Sequence, residues 1–196
     1  ASPSSDITTL ITGTVPTGVS TAKISVNDTT INAGTLKTID SFTTGTVTTT
    51  ATKIEGTAAD LKAVIDGGIT HDGAVPMTVN DTTFAATDLI AVNGGTSGLV
   101  TVSANRMTGN ITDIGTVYSA ASTAITGTAA LDLTVGADSA GDNPTVANVV
   151  TAIGHTTGTV TATIRKSLNA LTDFATITGT GHALTIEPLD DVSVAA

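Results

Sequence analysis

Three histidines, His71, His155 and His182, are the chain's candidate general bases. A hydrolase built on one of them needs a nucleophile within hydrogen-bond reach and a carboxylate to orient the ring. The three lie in unrelated turn contexts. None belongs to a Gly-x-Ser-x-Gly, a Gly-x4-Gly-Lys-Ser/Thr or a His-Glu-x-x-His pattern. The sequence therefore predicts a structural role for each ring, no catalytic residue, and a protein that is not an enzyme.

Carboxylates offer a second chemistry. Asp66, Asp72, Asp138 and Asp142 stand in Gly-containing turns, the setting in which proteins present oxygen ligands to calcium. The densest group is Asp138-Ser139-Ala140-Gly141-Asp142-Asn143. Asp and Asn are also the residues that turns and helix N-caps select for hydrogen bonding to their own backbone, and ordinary turn chemistry is the preferred reading. Asp138, Asp142 and Asn143 stand as the calcium candidates, and no other cofactor is expected. Thr-x-Thr pairs (Thr48/Thr50, Thr161/Thr163, Thr176/Thr178) would put two hydroxyls on one face of a strand. An ice-binding surface needs such pairs in a flat, regular array, yet at an offset of 53 Thr48 becomes Thr101 while Thr50 becomes Ser103. Strand propensity accounts for the threonines more simply.

Composition narrows the partners. The 196 residues carry 17 acidic and 7 basic side chains, and the net charge of −10 repels nucleic-acid phosphates and anionic lipid surfaces. With no Cys there is neither a disulfide framework nor a thiolate metal site. No apolar run approaches the roughly 20 residues that span a bilayer. Aromatic residues make up 2% of the chain, so aliphatic side chains and Thr must fill the interior. The 44 threonines, with Val and Ile, favour strands over long helices.

The elements that position these residues repeat. Val26-Asn27-Asp28-Thr29-Thr30 recurs unchanged 53 residues on, at Val79-Asn80-Asp81-Thr82-Thr83, and Thr43-Thr44-Gly45 maps onto Thr96-Ser97-Gly98. A third copy, Thr156-Thr157-Gly158, lies 113 residues after the first. In residues 43–70 the pattern reads strand, capped turn, short helix, glycine stop. Thr57 is placed at the N-cap and Asp60 at N3, Leu61, Val64 and Ile65 form the apolar stripe, and Gly67-Gly68 ends the helix. The equivalent positions 53 residues on are Asn110, Asp113, Ile114, Val117 and Tyr118. Leu36, Ile39 and Phe42 mark another stripe, echoed by Leu89 and Val92. A helix with Asn143 at the N-cap and Pro144 at N1 carries Val146, Val149, Val150 and Ile153, and a weak one is expected near 169–174. Strands are expected to begin at Ile7 and to recur at 22–26, 175–178, 183–186 and 192–194.

Residues 1–6 read as a linker or loose terminus, and 7–196 as a single repeat domain with approximate repeats 13–65, 66–121, 122–177 and a partial 178–196. Each period divides into two strand-turn-helix units of about 26 residues, within the range of strand-plus-helix solenoids. The expected fold is thus a β-rich α/β solenoid, with an antiparallel β-sandwich as the alternative.

The segments ITGTAALDL (125–133), IEGTAADLKAVIDGG (54–68) and TTGTVTATI (156–164) carry a resemblance. They are similar to the Thr-, Ala- and Gly-rich tandem repeats of very large secreted or cell-surface proteins of bacteria, particularly marine cyanobacteria. The resemblance covers about residues 11–186. It implies extracellular placement, often by type I secretion, and structural or adhesive roles without catalytic residues. The Gly-Gly-x-Gly-x-Asp calcium nonapeptides frequent in such proteins are missing from this chain. The expected function is a repeat segment or subunit of a surface layer, adhesin or filament that associates head to tail with itself or with neighbouring repeats. A carbohydrate-binding module is the alternative, and its usual aromatic platform must come from Phe42, Phe84, Tyr118 or Phe174, the chain's four aromatics.

Overall fold

Runs such as Val47-Thr48-Thr49, Met77-Thr78-Val79 and Val100-Thr101-Val102 alternate aliphatic or buried positions with half-exposed ones, and each forms a three-residue strand with one face on the core. A computed structural model describes residues 2–12, 19–121, 123–137, 141–166 and 173–188. In chain order the elements are α1 (Ser4–Thr12), a 3₁₀ turn (Val19–Thr21), β1 (Ile24–Val26), β2 (Thr30–Asn32), α2 (Ala33–Ser41), β3 (Val47–Thr49), β4 (Lys53–Gly56) and α3 (Ala58–Asp66). There follow β5 (Met77–Val79), β6 (Thr83–Ala85), α4 (Ala86–Gly95), β7 (Val100–Val102), β8 (Arg106–Gly109) and α5 (Ile111–Ala120). The last are β9 (Ile125–Thr126), β10 (Asp132–Val135), α6 (Val146–His155), β11 (Val160–Lys166) and β12 (Ala183–Pro188).

All pairs among the described strands are parallel. A two-stranded sheet joins β1 to β3, a five-stranded sheet runs β2-β4-β5-β7-β9, and a second runs β6-β8-β10-β11-β12. Identical faces stack in register. Ile31, Ile54, Met77, Val100 and Ile125 form one buried column, and Phe84, Met107, Leu133 and Val160 another. Successive helices pack on one another from α1 to α6 and close the core with Leu36, Leu61, Leu89, Ile114 and Val149, all fully buried. Each such aliphatic side chain contributes about 1.5–3 kcal/mol by leaving water.

This parallel α/β architecture corrects both expectations of fold. Parallel pairing throughout the described strands overturns the antiparallel sandwich. Two five-stranded sheets and six helices among the described residues overturn the solenoid built from one strand and one helix per 26-residue unit. The physical cause lies at Thr50-Ala51-Thr52, whose composition continues a strand although the chain breaks there. β3 and β4 are separate strands in different sheets, each paired with a segment 23 residues away. The 53-residue period is present in the elements themselves, since β1, β2, α2, β3, β4 and α3 begin 53 residues before β5, β6, α4, β7, β8 and α5. It combines two 23-residue pairing steps, Ile31 to Ile54 to Met77, with one seven-residue step from Met77 to Phe84. That short step carries the second copy one sheet onward: β2 and β4 lie in one five-stranded sheet, their counterparts β6 and β8 in the other.

Local expectations fare unevenly. Thr57 and Asn110 cap α3 and α5 as predicted, accepting from the Asp60 and Asp113 amides at 3.0 and 2.9 Å, and Gly68 takes φ +71° after α3. The segment read as a strand from Ile7 is instead helix α1, which begins at Ser4, inside the predicted linker, while Ser2 bridges Val26. Phe42 leaves the α2 stripe and stands 37% exposed. Residues 173–176 form a 3₁₀ turn where 175–178 was expected to be a strand. The predicted strand at 192–194 and most of the weak helix at 169–174 lie outside the described residues.

Candidate functional site

Each of the three histidines is occupied locally. His71 follows the Thr70 bridge, with Nδ1 2.9 Å from the Asp72 carbonyl oxygen. His155 ends α6 and stacks on Tyr118 of α5, ring centroids 4.8 Å apart and planes 9° from parallel. Tyr118 donates its hydroxyl to the Thr128 carbonyl at 2.9 Å, and burial pushes its phenol above the ordinary value against an opposing hydrogen bond with Thr156. His182 Nδ1 accepts from the Val160 amide at 3.2 Å and so ties the segment before β12 to β11. The rings bond to backbone or stack on another ring, and among the described residues none is hydrogen-bonded to a nucleophile and a carboxylate together.

Of the calcium candidates, Asp138 lies outside the described residues. Asp142 and Asn143 stand in the irregular segment before α6. Asn143 is not the N-cap it was expected to be. Thr145 caps α6 instead, accepting from the Asn148 amide at 3.2 Å, and the helix starts two residues later than Pro144 suggests. Among the described residues no group of three or more His, Asp or Glu side chains converges to hold a metal ion. Asp72 closes its own turn by accepting from the Ala74 amide at 3.0 Å, and Asp66 pairs with Lys62 one helical turn earlier.

The geometry that does recur is a threonine clamp. Thr43, Thr96 and Thr156 each donate Oγ1 to a carbonyl of the segment packed beside them, Ala22, Val75 and Leu131, at 2.6 Å in all three cases. The same oxygen accepts from the amide of Gly45, Gly98 or Gly158 at 2.9 Å. The intervening Thr44, Ser97 and Thr157 bond through their amides to Ser20, Gly73 and Ala129. A Cβ on any of the three glycines would lie 2.3–2.4 Å from a backbone oxygen, so only glycine fits. The Asp of the repeated pentapeptide works in the same way across segments. Asp28 accepts from the Ser4 amide at 2.7 Å and Asp81 from the Ala58 amide at 2.6 Å, each at the first turn of a helix in the neighbouring segment. Sequence reasoning found these residues only as markers of the period. The signal was their identity between copies that have otherwise diverged.

The outward faces are the remaining candidates. Thr78, Thr101 and Thr126 form one column in register and Thr108, Thr134 and Thr161 another, in different sheets. Two residues earlier stand Pro76, Leu99 and Ala124 beside the first column and Arg106 and Asp132 beside two of the three members of the second, so neither column has a complete second row of hydroxyls on that side. A cleft of about 490 Å³ opens where the two-stranded sheet stops, lined by Thr48, Thr50, Thr70, His71 and Asp72 among others. It holds hydroxyls, one carboxylate and one imidazole, and no Phe, Tyr or Trp side chain. No protein-family model matches the chain, and neither does any curated protein or solved structure.

Proposed function

We propose that this chain is a non-enzymatic structural protein of the extracellular space or cell surface, a repeat segment or subunit of a surface layer, adhesin or filament. The observation that carries the reading is the threonine clamp. Thr43, Thr96 and Thr156 each bond one segment to the next, three times over with the same 2.6 and 2.9 Å geometry. Bonds of this kind hold neighbouring segments of a scaffold together. The acidic, Cys-free composition and the resemblance to large bacterial surface repeats support placement outside the cell. No described helix is long and apolar enough to cross a membrane.

Association with another copy follows from how the two ends differ. The first helical layer is covered by α1, whose Ile7 is buried, and Ser2 adds a bridge to β1. Residues 2–6, expected to be a linker or loose terminus, thus take part in covering that end. At the other end β12 pairs with β11 and exposes Ile186 to 43%. In this reading the β12 end meets the next copy or the next repeat, head to tail. Fractionating the native source tests the placement: the chain belongs in the secreted or cell-surface fraction, and recovery chiefly from the cytosol would overturn the proposal.

A further inference from the structure

Three side chains of the repeated pentapeptide, its Asn and both Thr, are exposed and make no hydrogen bond among the described residues. Val26 and Val79 are fully buried, Asp28 and Asp81 hold the first turns of neighbouring helices, and the Thr29 and Thr82 carbonyls accept hydrogen bonds from the backbone N–H groups of Thr52 and of Asn105 and Arg106. The backbones of Asn27 and Asn80 are pinned by bonds to the Ser2 and Gly56 carbonyls at 3.2 and 3.0 Å. Their side-chain amides are exposed and hydrogen-bond to nothing among the described residues, and the same is true of the Thr29 and Thr82 hydroxyls. Asn27-Asp28-Thr29 and Asn80-Asp81-Thr82 each match the Asn-x-Thr acceptor pattern for N-linked glycans, on surface turns between β1 and β2 and between β5 and β6.

We propose that Asn27 and Asn80 are glycan attachment sites, one in each 53-residue copy. The proposal rests on the extracellular reading above. The co-reactant is a sugar carried on a lipid diphosphate and delivered by a glycosyltransferase. The amide nitrogen forms a bond to the anomeric carbon, the carbon–oxygen bond to phosphate breaks, the diphosphate leaves with the electron pair, and one amide proton passes to a base of the transferring enzyme. The third Asn-x-Thr pattern, Asn110-Ile111-Thr112, is spared for a structural reason. Asn110 Oδ1 accepts from the Asp113 amide at 2.9 Å, and Nδ2 donates to the Asp113 carboxylate at 2.8 Å, so its amide is engaged on both sides as the cap of α5.

The experiment uses the native chain taken from its secreted or surface fraction and digested with trypsin. Cleavage at Lys23, Lys37, Lys62, Arg106 and Arg165 puts the three sites in separate peptides, 24–37, 63–106 and 107–165. The masses of 24–37 and 63–106 are expected to rise by a glycan, while 107–165 keeps its unmodified mass. Asn27→Gln and Asn80→Gln should each remove one glycan and leave the melting temperature of the bare protein unchanged. Bare 24–37 and 63–106 peptides in protein recovered from the surface fraction would overturn this inference alone. Recovery from the cytosol would overturn the extracellular reading and this inference with it. A glycan on 107–165 with the other two peptides bare would contradict the argument from exposure.

Discussion

At the residue scale the threonine hydroxyls do two different jobs. Those in the columns of the outer faces satisfy strand geometry, whereas Thr96 Oγ1 is buried and bonded on both sides, to the Val75 carbonyl and from the Gly98 amide. Replacing it by isosteric Val strands both backbone groups, and Thr96→Val should destabilise the protein by about 1–3 kcal/mol. Urea unfolding measures this, with Thr101→Val on the outer face as the control at within about 0.5 kcal/mol. Gly98→Ala puts a methyl group 2.3 Å from the Ala74 carbonyl oxygen and should cost at least as much, roughly 1–3 kcal/mol. The hydrogen bond from Lys37 holds Asp60 below the usual range, against a smaller opposing effect of burial. Because the folded value is the lower one, this stabilisation is complete above the ordinary Asp range, near pH ~4, and is lost as pH falls through the folded value. Lys37→Met should therefore lower stability at neutral pH by less than about 1 kcal/mol, the limit for a pair this exposed, and have no effect once Asp60 is protonated, so the acid limb flattens by the same small amount.

At the element scale, what was legible in the sequence was local. The caps of α3 and α5 are written within four residues, Thr57 to Asp60 and Asn110 to Asp113, and both form as read. The start of α6 was misread because Asn143-Pro144 imitates a cap and first turn, while Thr145, the actual cap, looks like any other threonine of a Thr-rich chain. β3 and β4 were fused for want of a Gly, Pro or Asn between them. Asp81 at the amide of Ala58 was invisible because its partner lies 23 residues away and is fixed only by the stacking. Its replacement supplies a test at this scale: Asp81→Ala should cost about 0.5–2 kcal/mol, the usual range for a lost helix N-terminal acceptor. Hydrogen exchange should then quicken first in α3. Leu61→Ala in the same helix removes a fully buried side chain and should cost about 2–5 kcal/mol, with loss of the cooperative transition across the neighbouring segments.

At the scale of the whole molecule, the 53-residue duplication and the 23-residue pairing step do not match, and the seven-residue difference moves the second copy onto the next sheet. Among the described residues no outward column of identical residues therefore runs from the first sheet to the last, which favours a scaffold whose contacts lie at its ends over one that reads a regular lattice on its flank. The end carrying β12 and Ile186 is the one this account assigns to contact with another copy. Sedimentation velocity across a wide concentration range, with negative-stain images of the same samples, tests it most directly. Elongated multi-copy particles are expected to grow with concentration and to revert to single copies in Ile186→Lys, a substitution at an exposed position that leaves the fold intact. A single monomeric species at every concentration, or assembly that Ile186→Lys leaves unchanged, would contradict it.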